Sequence, residues 1–370
     1  MNILTIIFYT FIVVVFIQLS YYTFFLIKFA LLKIKKPTRK NISVSVIICA
    51  KNEAENLKAF LPFIINQDYP SFEIVLINDD SVDDTLDVIE GFASKNSNIK
   101  IVNIQNNETF KGKKKYALTL GIKAASHNFF LFTDADCKPM SKHWIKEMTS
   151  SFSKQKTIVL GYGRYAKIEK SFLNKVIRFE TLLTAIQYFS FANNGNPYMG
   201  VGRNLAYRKE EFFNANGFMG HMDIRSGDDD LFINQVATNK NTALCFSKES
   251  FTESIPETTF KKWFNQKKRH VTTACRYKKK HKITLSLFYI SQFLFWTLAS
   301  TLLITLFYWK TVVFLILLRI LLLYSVFIFS TKKLGDKDIL FSLPLLEIFL
   351  IASQITIFIS NLVSKPNRWK

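Results

Sequence analysis

Two carboxylates stand one residue apart in Thr133-Asp134-Ala135-Asp136-Cys137, directly behind the apolar run Phe129-Phe130-Leu131-Phe132. Carboxylates leaving the end of a buried strand together can share a hard divalent cation. Mg²⁺ takes one or two carboxylates and completes its shell with substrate phosphates. A cation held this way bridges a diphosphate and neutralises charge that develops on a leaving group.

Two further acidic clusters extend the pattern. Ile77-Asn78-Asp79-Asp80-Ser81-Val82-Asp83-Asp84-Thr85 places four Asp within six residues behind the apolar run Glu73–Ile77. Unpaired charge beside a core is costly, so packing alone does not account for it. Ser81, Asp83 or Asp84 can cap the next helix. Asp79, at the strand end, can accept a hydrogen bond from a nucleobase N–H. The third cluster, Asp228-Asp229-Asp230, lies between Ser226-Gly227 and Leu231-Phe232-Ile233. A charged helix N-terminus is favourable through the helix dipole, but three adjacent carboxylates exceed that need. One of them can take the proton of an attacking hydroxyl. Counting from Gly227 favours Asp229 for this role, and counting back from Leu231 favours Asp228; Asp229 is preferred.

The elements that must carry these clusters alternate. Val44–Cys49, Glu73–Ile77, Ile99–Ile104, Phe129–Thr133 and Thr157–Tyr162 read as buried strands. Between them lie helix-like stretches such as Ala54–Asn66, Thr85–Ser94 and Tyr116–Ala125. Alternation of this kind predicts an α/β domain with a mainly parallel sheet. Such sheets bind ligands at the carboxyl ends of their strands, where the acidic clusters fall.

Several motifs in order now carry a family resemblance: VSVIICAKNEAENL, INDDSVDDT, FTDADC, GVGRNLAYRKEEF, SGDDDLF and QKKRH. Over about residues 42–275 the chain resembles the family 2 glycosyltransferases, whose catalytic domain has the GT-A fold, a Rossmann-like nucleotide-binding domain. The resemblance implies inverting transfer of a hexose-type sugar from a nucleotide-sugar donor, with a UDP-sugar favoured and Mg²⁺ or Mn²⁺ as cofactor. It makes Asp79 a base contact, Asp134 and Asp136 the metal and diphosphate site, and the Asp of the acidic triplet the base. Gln266-Lys267-Lys268-Arg269-His270 is similar to the family's QxxRW motif with His in place of Trp. By that likeness Gln266 and Arg269 bind the donor diphosphate, and Arg269 suits phosphate in fork geometry. The missing aromatic platform weighs against processive synthesis. Lys113, in the basic loop Phe110–Lys115, is a further expected phosphate contact. Gly200-Val201-Gly202-Arg203-Asn204 resembles a family segment near the acceptor, with packing as the alternative.

Charge and hydropathy set the surroundings. The 370 residues carry 49 Lys+Arg against 28 Asp+Glu, a formal net charge of +21. Lys261 to Lys282 holds ten Lys/Arg and no acidic residue, next to an apolar run. Basic clusters at that position are drawn to anionic lipid headgroups, so a membrane surface, not nucleic acid, is the expected polyanionic neighbour. Ile3–Leu26 is uncharged and 24 residues long, enough for a hydrocarbon core of about 30 Å. It lacks the basic start and small-residue cleavage site of a signal peptide, and reads as an anchor. Lys28, Lys33, Lys35, Lys36, Arg39 and Lys40 after it put the next domain in the cytoplasm. The four widely spaced cysteines, without a CxxC pair, read as reduced thiols.

Leu285–Tyr308 and Val312–Ser330 read as a transmembrane hairpin. Ile339–Val363 reads as a third span, with a re-entrant or interfacial course as the alternative. Four crossings would leave Lys365, Arg368 and Lys370 outside, against the usual charge bias. Arg319 and Glu347 within these runs are expected to snorkel to a nearby surface, the alternative being the bundle interior. The expected organisation is an anchor with its basic flank (1–36), a cytoplasmic GT-A domain (37–255), a basic interfacial segment (256–283) and a membrane region of two to three spans (284–370). The expected activity is sugar transfer to a lipid or lipid-linked acceptor at the cytoplasmic face of the cell membrane, in envelope glycan assembly. A processive polysaccharide synthase is the second reading. A catalytically silent scaffold is the third, and it would predict loss of the acidic strand ends.

Overall fold

The structure is a computed structural model that describes residues 2–34, 42–105, 114–224 and 226–363. Lys113, the basic residues 35–40 and the basic tail lie outside the described residues. Helix α1 (Ile3–Ser20) continues through a π-helical stretch (Tyr21–Leu26) into α2 (Ile27–Leu31). The chain then alternates: β1 (Val44–Ala50), α3 (Ala54–Ile65), β2 (Phe72–Asp79), α4 (Thr85–Ala93), β3 (Ile99–Ile104), α5 (Lys114–Ala124), β4 (Phe129–Phe132), β5 (Cys137–Pro139), α6 (Trp144–Ser150), β6 (Ile158–Leu160) and β7 (Gly163–Tyr165). A long helix, α7 (Phe172–Asn193), follows, then β8 (Leu205–Arg208), α8 (Lys209–Asn214), α9 (Asp230–Val236), β9 (Thr242–Leu244), β10 (Thr252–Ser254) and α10 (Phe260–Val271). The chain ends in α11 (Lys279–Ile304), α12 (Trp309–Leu334) and α13 (Leu343–Val363).

Seven strands form one mixed sheet in the order β3-β2-β1-β4-β8-β6-β9. The pairs β1–β2, β1–β4, β2–β3 and β6–β9 are parallel, and β8 runs antiparallel to both β4 and β6. All of β1 is buried, because a sheet covered on both faces needs continuous apolar strands. One face packs under α3, α4 and α6 through Leu57, Leu61, Ile89, Trp144 and Met148. The other packs under α5 and α7 through Ile122, Phe179, Leu182 and Ile186. A small second sheet, β5-β10-β7, closes the carboxyl end of the first. The expected strands all form within a residue or two, which fits the α/β expectation and adds the antiparallel β8.

Among the described residues, four helical segments are long and apolar enough to cross a membrane, Ile3–Leu31, Lys279–Ile304, Trp309–Leu334 and Lys337–Val363. Arg319 and Glu347 do not snorkel: they are 0% and 2% exposed and pair with each other inside the helix bundle. Arg319 Nη1 donates to Glu347 Oε2 at 2.6 Å, and Gln292 Nε2 to Glu347 Oε1 at 2.9 Å. Arg319 Nη2 also donates to Gln18 Oε1 and to the Tyr22 hydroxyl, each at 3.1 Å. With neighbouring side chains supplying these partners, reaching for the surface would leave Glu347 buried without its cation.

Candidate active site

The strand ends come first. Asn52 and Asp80 hold positive φ (55° and 51°), turning the chain sharply after β1 and β2. Small polar residues tolerate that region best because they bond locally. The two turns are laced together: Ser81 Oγ accepts from Asn52 N at 3.0 Å, and Asn52 Oδ1 from Val82 N at 2.9 Å. Asp83 supplies the capping, accepting from Thr85 N at 3.1 Å and Ala54 N at 3.3 Å. Asp79 is thereby left out of the caps. Burial pushes its carboxyl above the usual range, partly offset by Lys51. Its Oδ2 is buried without a hydrogen-bond partner among the described residues, 3.9 Å from Lys51 Nζ.

Beside this turn a cavity of about 420 Å³ opens across the carboxyl ends of the strands. Lys51, Lys114, Asp134, Asp136, Arg203, Asp228, Asp229 and Asp230 line it, together with Gln266, Arg269 and His270 of α10. Asp79 is not in this lining; it stands behind Lys51, whose Nζ donates to the Asp79 carbonyl at 2.8 Å. The structure thus gathers nearly every sequence-predicted residue at one place, with Asp79 at its edge and Lys113 outside the described residues.

Lys114 belongs to the basic loop expected to face the phosphates, in which Lys113 is the residue singled out. Lys114 Nζ donates to Asp134 Oδ1 at 2.8 Å and sits 3.2 Å from Asp228 Oδ2. Burial alone would favour losing its proton, but Asp134 and Asp228 outweigh it and hold the ammonium's pKa well above the usual value. The sequence signal was the run of lysines before Tyr116, and α5 starts at Lys114, whose side chain lines the cavity. Lys115 turns away and donates to the carbonyl of Ile224 at 2.9 Å.

The acidic triplet is resolved by its partners. Asp230 is buried, receiving the Thr273 and Tyr277 hydroxyls at 2.5 and 2.6 Å, which ties α9 to the segment after α10. Asp229 Oδ2 accepts from Gly202 N at 2.7 Å and its Oδ1 from Asp230 N at 2.7 Å. Burial, then Asp228 and Asp230, raise the Asp229 carboxyl well above the ordinary range. A Cβ on Gly202 would stand 3.3 Å from Asp229 Oδ2, so glycine there permits the close approach. Arg203 stacks on the Tyr165 ring at 4.3 Å.

Asp134, Asp136 and Cys137 bring one ligand atom each within 4.8 Å of one another. The Cys137 thiol is a poor third ligand: burial, then Asp136 and Asp134, raise its pKa, and it shares a 2.9 Å hydrogen bond with Ser254. Two carboxylates and a protonated thiol fit a hard, oxygen-preferring cation that draws its other ligands from water and phosphate.

Residues 45–216 match the family model for glycosyl transferase family 2, and residues 146–329 match that for glycosyl transferase family group 2. With the GT-A-type sheet described above, the chain belongs to the family 2 glycosyltransferases. It is 35% identical over 106 residues to a poly-beta-1,6-N-acetyl-D-glucosamine synthase of Staphylococcus epidermidis, covering 29% of this chain and 24% of that protein. It is 29% identical over 187 residues to a Methanococcus voltae dolichyl N-acetyl-alpha-D-glucosaminyl phosphate 3-beta-D-2,3-diacetamido-2,3-dideoxy-beta-D-glucuronosyltransferase, covering 49% of this chain and 53% of that protein. The chain thus spans between a quarter and about half the length of these relatives. Among solved structures, a mannosyltransferase from Pyrobaculum calidifontis in complex with GDP-Man and Mn2+ superposes with a TM-score of 0.62 at 17% identity, covering 90% of this chain and 100% of that one.

Proposed function

We propose that this glycosyltransferase is a membrane-held, metal-dependent, inverting enzyme that moves a sugar from a nucleotide-sugar donor to a lipid or lipid-linked acceptor. The observation that carries the reading is the meeting of two acidic pairs in one cavity, Asp134 with Asp136 and Asp228 with Asp229, joined through Lys114. In this reading Asp134 and Asp136 hold Mg²⁺ or Mn²⁺ with the donor diphosphate. The bound cation supplies charge neutralisation for the departing nucleoside diphosphate. Arg269 and Gln266, in the lining of the same cavity, bind the same phosphates, and Asp79, whose Oδ2 has no hydrogen-bond partner among the described residues, takes a base N–H. The mannosyltransferase neighbour is a complex with GDP-Man and Mn2+; a UDP-sugar remains the favoured donor here.

Asp229 is the base. Its two oxygens are each fixed by a backbone N–H, so the carboxylate is oriented without being consumed by a cation. Its raised pKa makes it a stronger base than an exposed carboxylate. The acceptor oxygen bonds to the anomeric carbon as its proton passes to Asp229. The bond to the diphosphate breaks on the far side, which inverts the sugar. Asp228 is engaged by Lys114 and serves the phosphate side of the cavity.

The apolar helices beside the cavity fit a membrane-bound acceptor, and the basic flanks favour a cytoplasmic catalytic face. His270 lies exposed on the cavity wall where the family motif has Trp, which favours a single transfer over chain extension. The test is to incubate the full chain with UDP-, GDP- and dTDP-sugars and extracted membrane lipids and determine the product's anomeric configuration. One added sugar of inverted configuration supports the reading. Retention, or a polymer, contradicts it.

A further inference from the structure

The end of α13 returns to the catalytic domain. Lys268 of α10 donates to Ser360 Oγ at 2.9 Å and its carbonyl accepts from Asn361 Nδ2 at 3.0 Å. Lys268 is flanked in sequence by Lys267 and Arg269, both in the cavity wall. The start of α13 is held on the same side, since Arg178 of α7 binds Asp336 at 2.9 Å and Asp338 at 2.9 Å in the turn before it. Between the two ends, the Phe349 ring lies 5.2 Å from Phe172 of α7 and 5.8 Å from Phe260 of α10.

The far half of the helix bundle has a different membership. Its buried cluster is Phe11, Val14 and Val15 of α1, Phe295, Ala299 and Leu302 of α11, and Val312 of α12. Among the described residues no member of α13 belongs to this cluster or packs on it. Leu343, Leu346 and Leu350 belong instead to the core shared with α7. Against α11, Glu347 meets Gln292 and Gln354 meets Tyr289. Glu347 also meets Trp296, at 3.3 Å, so from Glu347 to Gln354 the contacts on α11 run back toward the catalytic domain.

We propose that α13 does not cross the bilayer but lies along its surface on the catalytic side, so that three helices cross. This rests on the membrane reading above. The occupant of its open face is lipid. Leu345, Ile348, Ala352, Ile355, Ile359 and Leu362 form an exposed stripe at three- and four-residue spacing, continuous with a bundle whose own outer surface is apolar. With both ends of α13 held on the catalytic side, this stripe faces acyl chains just below the headgroups. Lys261 and Lys262, exposed beside Phe260, supply cations for anionic headgroups at the same level. With this course, the three crossing helices bring the chain back to the side from which the catalytic domain departs, and the four-crossing conflict with the basic tail disappears.

The test uses the full chain carrying Cys275→Ser, reconstituted in vesicles of phosphatidylcholine and phosphatidylglycerol. Spin labels on single cysteines at Ile348, Ile355 and Leu362 are read for depth against a label at Leu317 of α12, which is 60% exposed. The expected result is successive α13 labels differing by under about 5 Å, none as deep as Leu317. A crossing helix would step about 10 Å between successive labels and carry one to the depth of Leu317, overturning the proposal. As a second measurement, Val363→Cys should react with an impermeant maleimide from the same side as native Cys275, which is exposed on the catalytic domain. Reaction from the side of Leu306→Cys, in the α11–α12 turn, overturns it as well. If the Leu317 label itself stays in water, the membrane reading fails instead, a result distinguishable from failure of α13's course alone.

Discussion

Lys114 Nζ lies 2.8 Å from Asp134 Oδ1 and, at 3.2 Å from Asp228 Oδ2, ties the carboxylate pair behind β4 to the acidic residues before α9. It holds two negative groups from distant parts of the chain at one point. Lys114→Ala should lower kcat/KM about 100-fold, near 2.7 kcal/mol of transition-state stabilisation, measured by steady-state nucleotide release. Tm should change little, because the site gains repulsion but loses no core.

Asp229 and Asp228 should separate kinetically. Asp229→Asn should lower kcat by roughly 10²- to 10⁴-fold, the usual size of a general-base contribution, while donor affinity by calorimetry stays near wild type. Asp228→Asn should weaken donor binding instead, since Asp228 meets Lys114 and not the backbone of Gly202.

The raised carboxyl of Asp229 has a pH consequence in protein without metal or donor. A group whose folded pKa exceeds its unfolded one binds more protons when folded, so its contribution to stability falls as pH rises from the ordinary carboxylate range through the raised value. Over the same window kcat/KM should rise, because the ionised form is the base. Thermal unfolding from pH 4 to 9 should show a steeper decline in wild type than in Asp229→Asn.

Gly202→Ala places a Cβ 3.3 Å from Asp229 Oδ2. A shift of a few tenths of an ångström in the base should cut kcat about tenfold or more, with donor affinity and Tm nearly unchanged. Equal loss of Tm and kcat would point to a folding defect.

Arg319→Leu should destabilise the bundle by about 3–5 kcal/mol, because it leaves Glu347 buried without its cation. The double replacement Arg319→Leu with Glu347→Leu should recover much of that loss. Thermal aggregation in detergent compares the two.

Much of the site was legible because its chemistry is local. Asp134, Asp136, Asp228 and Asp229 each follow an apolar run or precede a helix start, and strand ends in α/β sheets are where ligands bind. The strands themselves announced their position by continuous apolar character, as in Val44–Ala50. What escaped the sequence depended on contacts distant along the chain. That Lys114 faces the cavity while Lys115 turns away is decided by where α5 begins. That Asp83, not Asp84, caps depends on Ala54 donating from another strand turn. Arg319 and Glu347 sit 28 residues apart in sequence, and hydropathy treats each as an isolated charge.

The central claim, that Asp134 and Asp136 hold a divalent cation with the donor diphosphate, is met most directly by measuring nucleotide release in lipid. The comparison is wild type with Asp136→Ala, with Mn²⁺, Mg²⁺ or EDTA, across a donor panel. The account requires release from one class of donor that depends on the metal and is lost in Asp136→Ala. Equal release in EDTA, or undiminished release in Asp136→Ala, would contradict it.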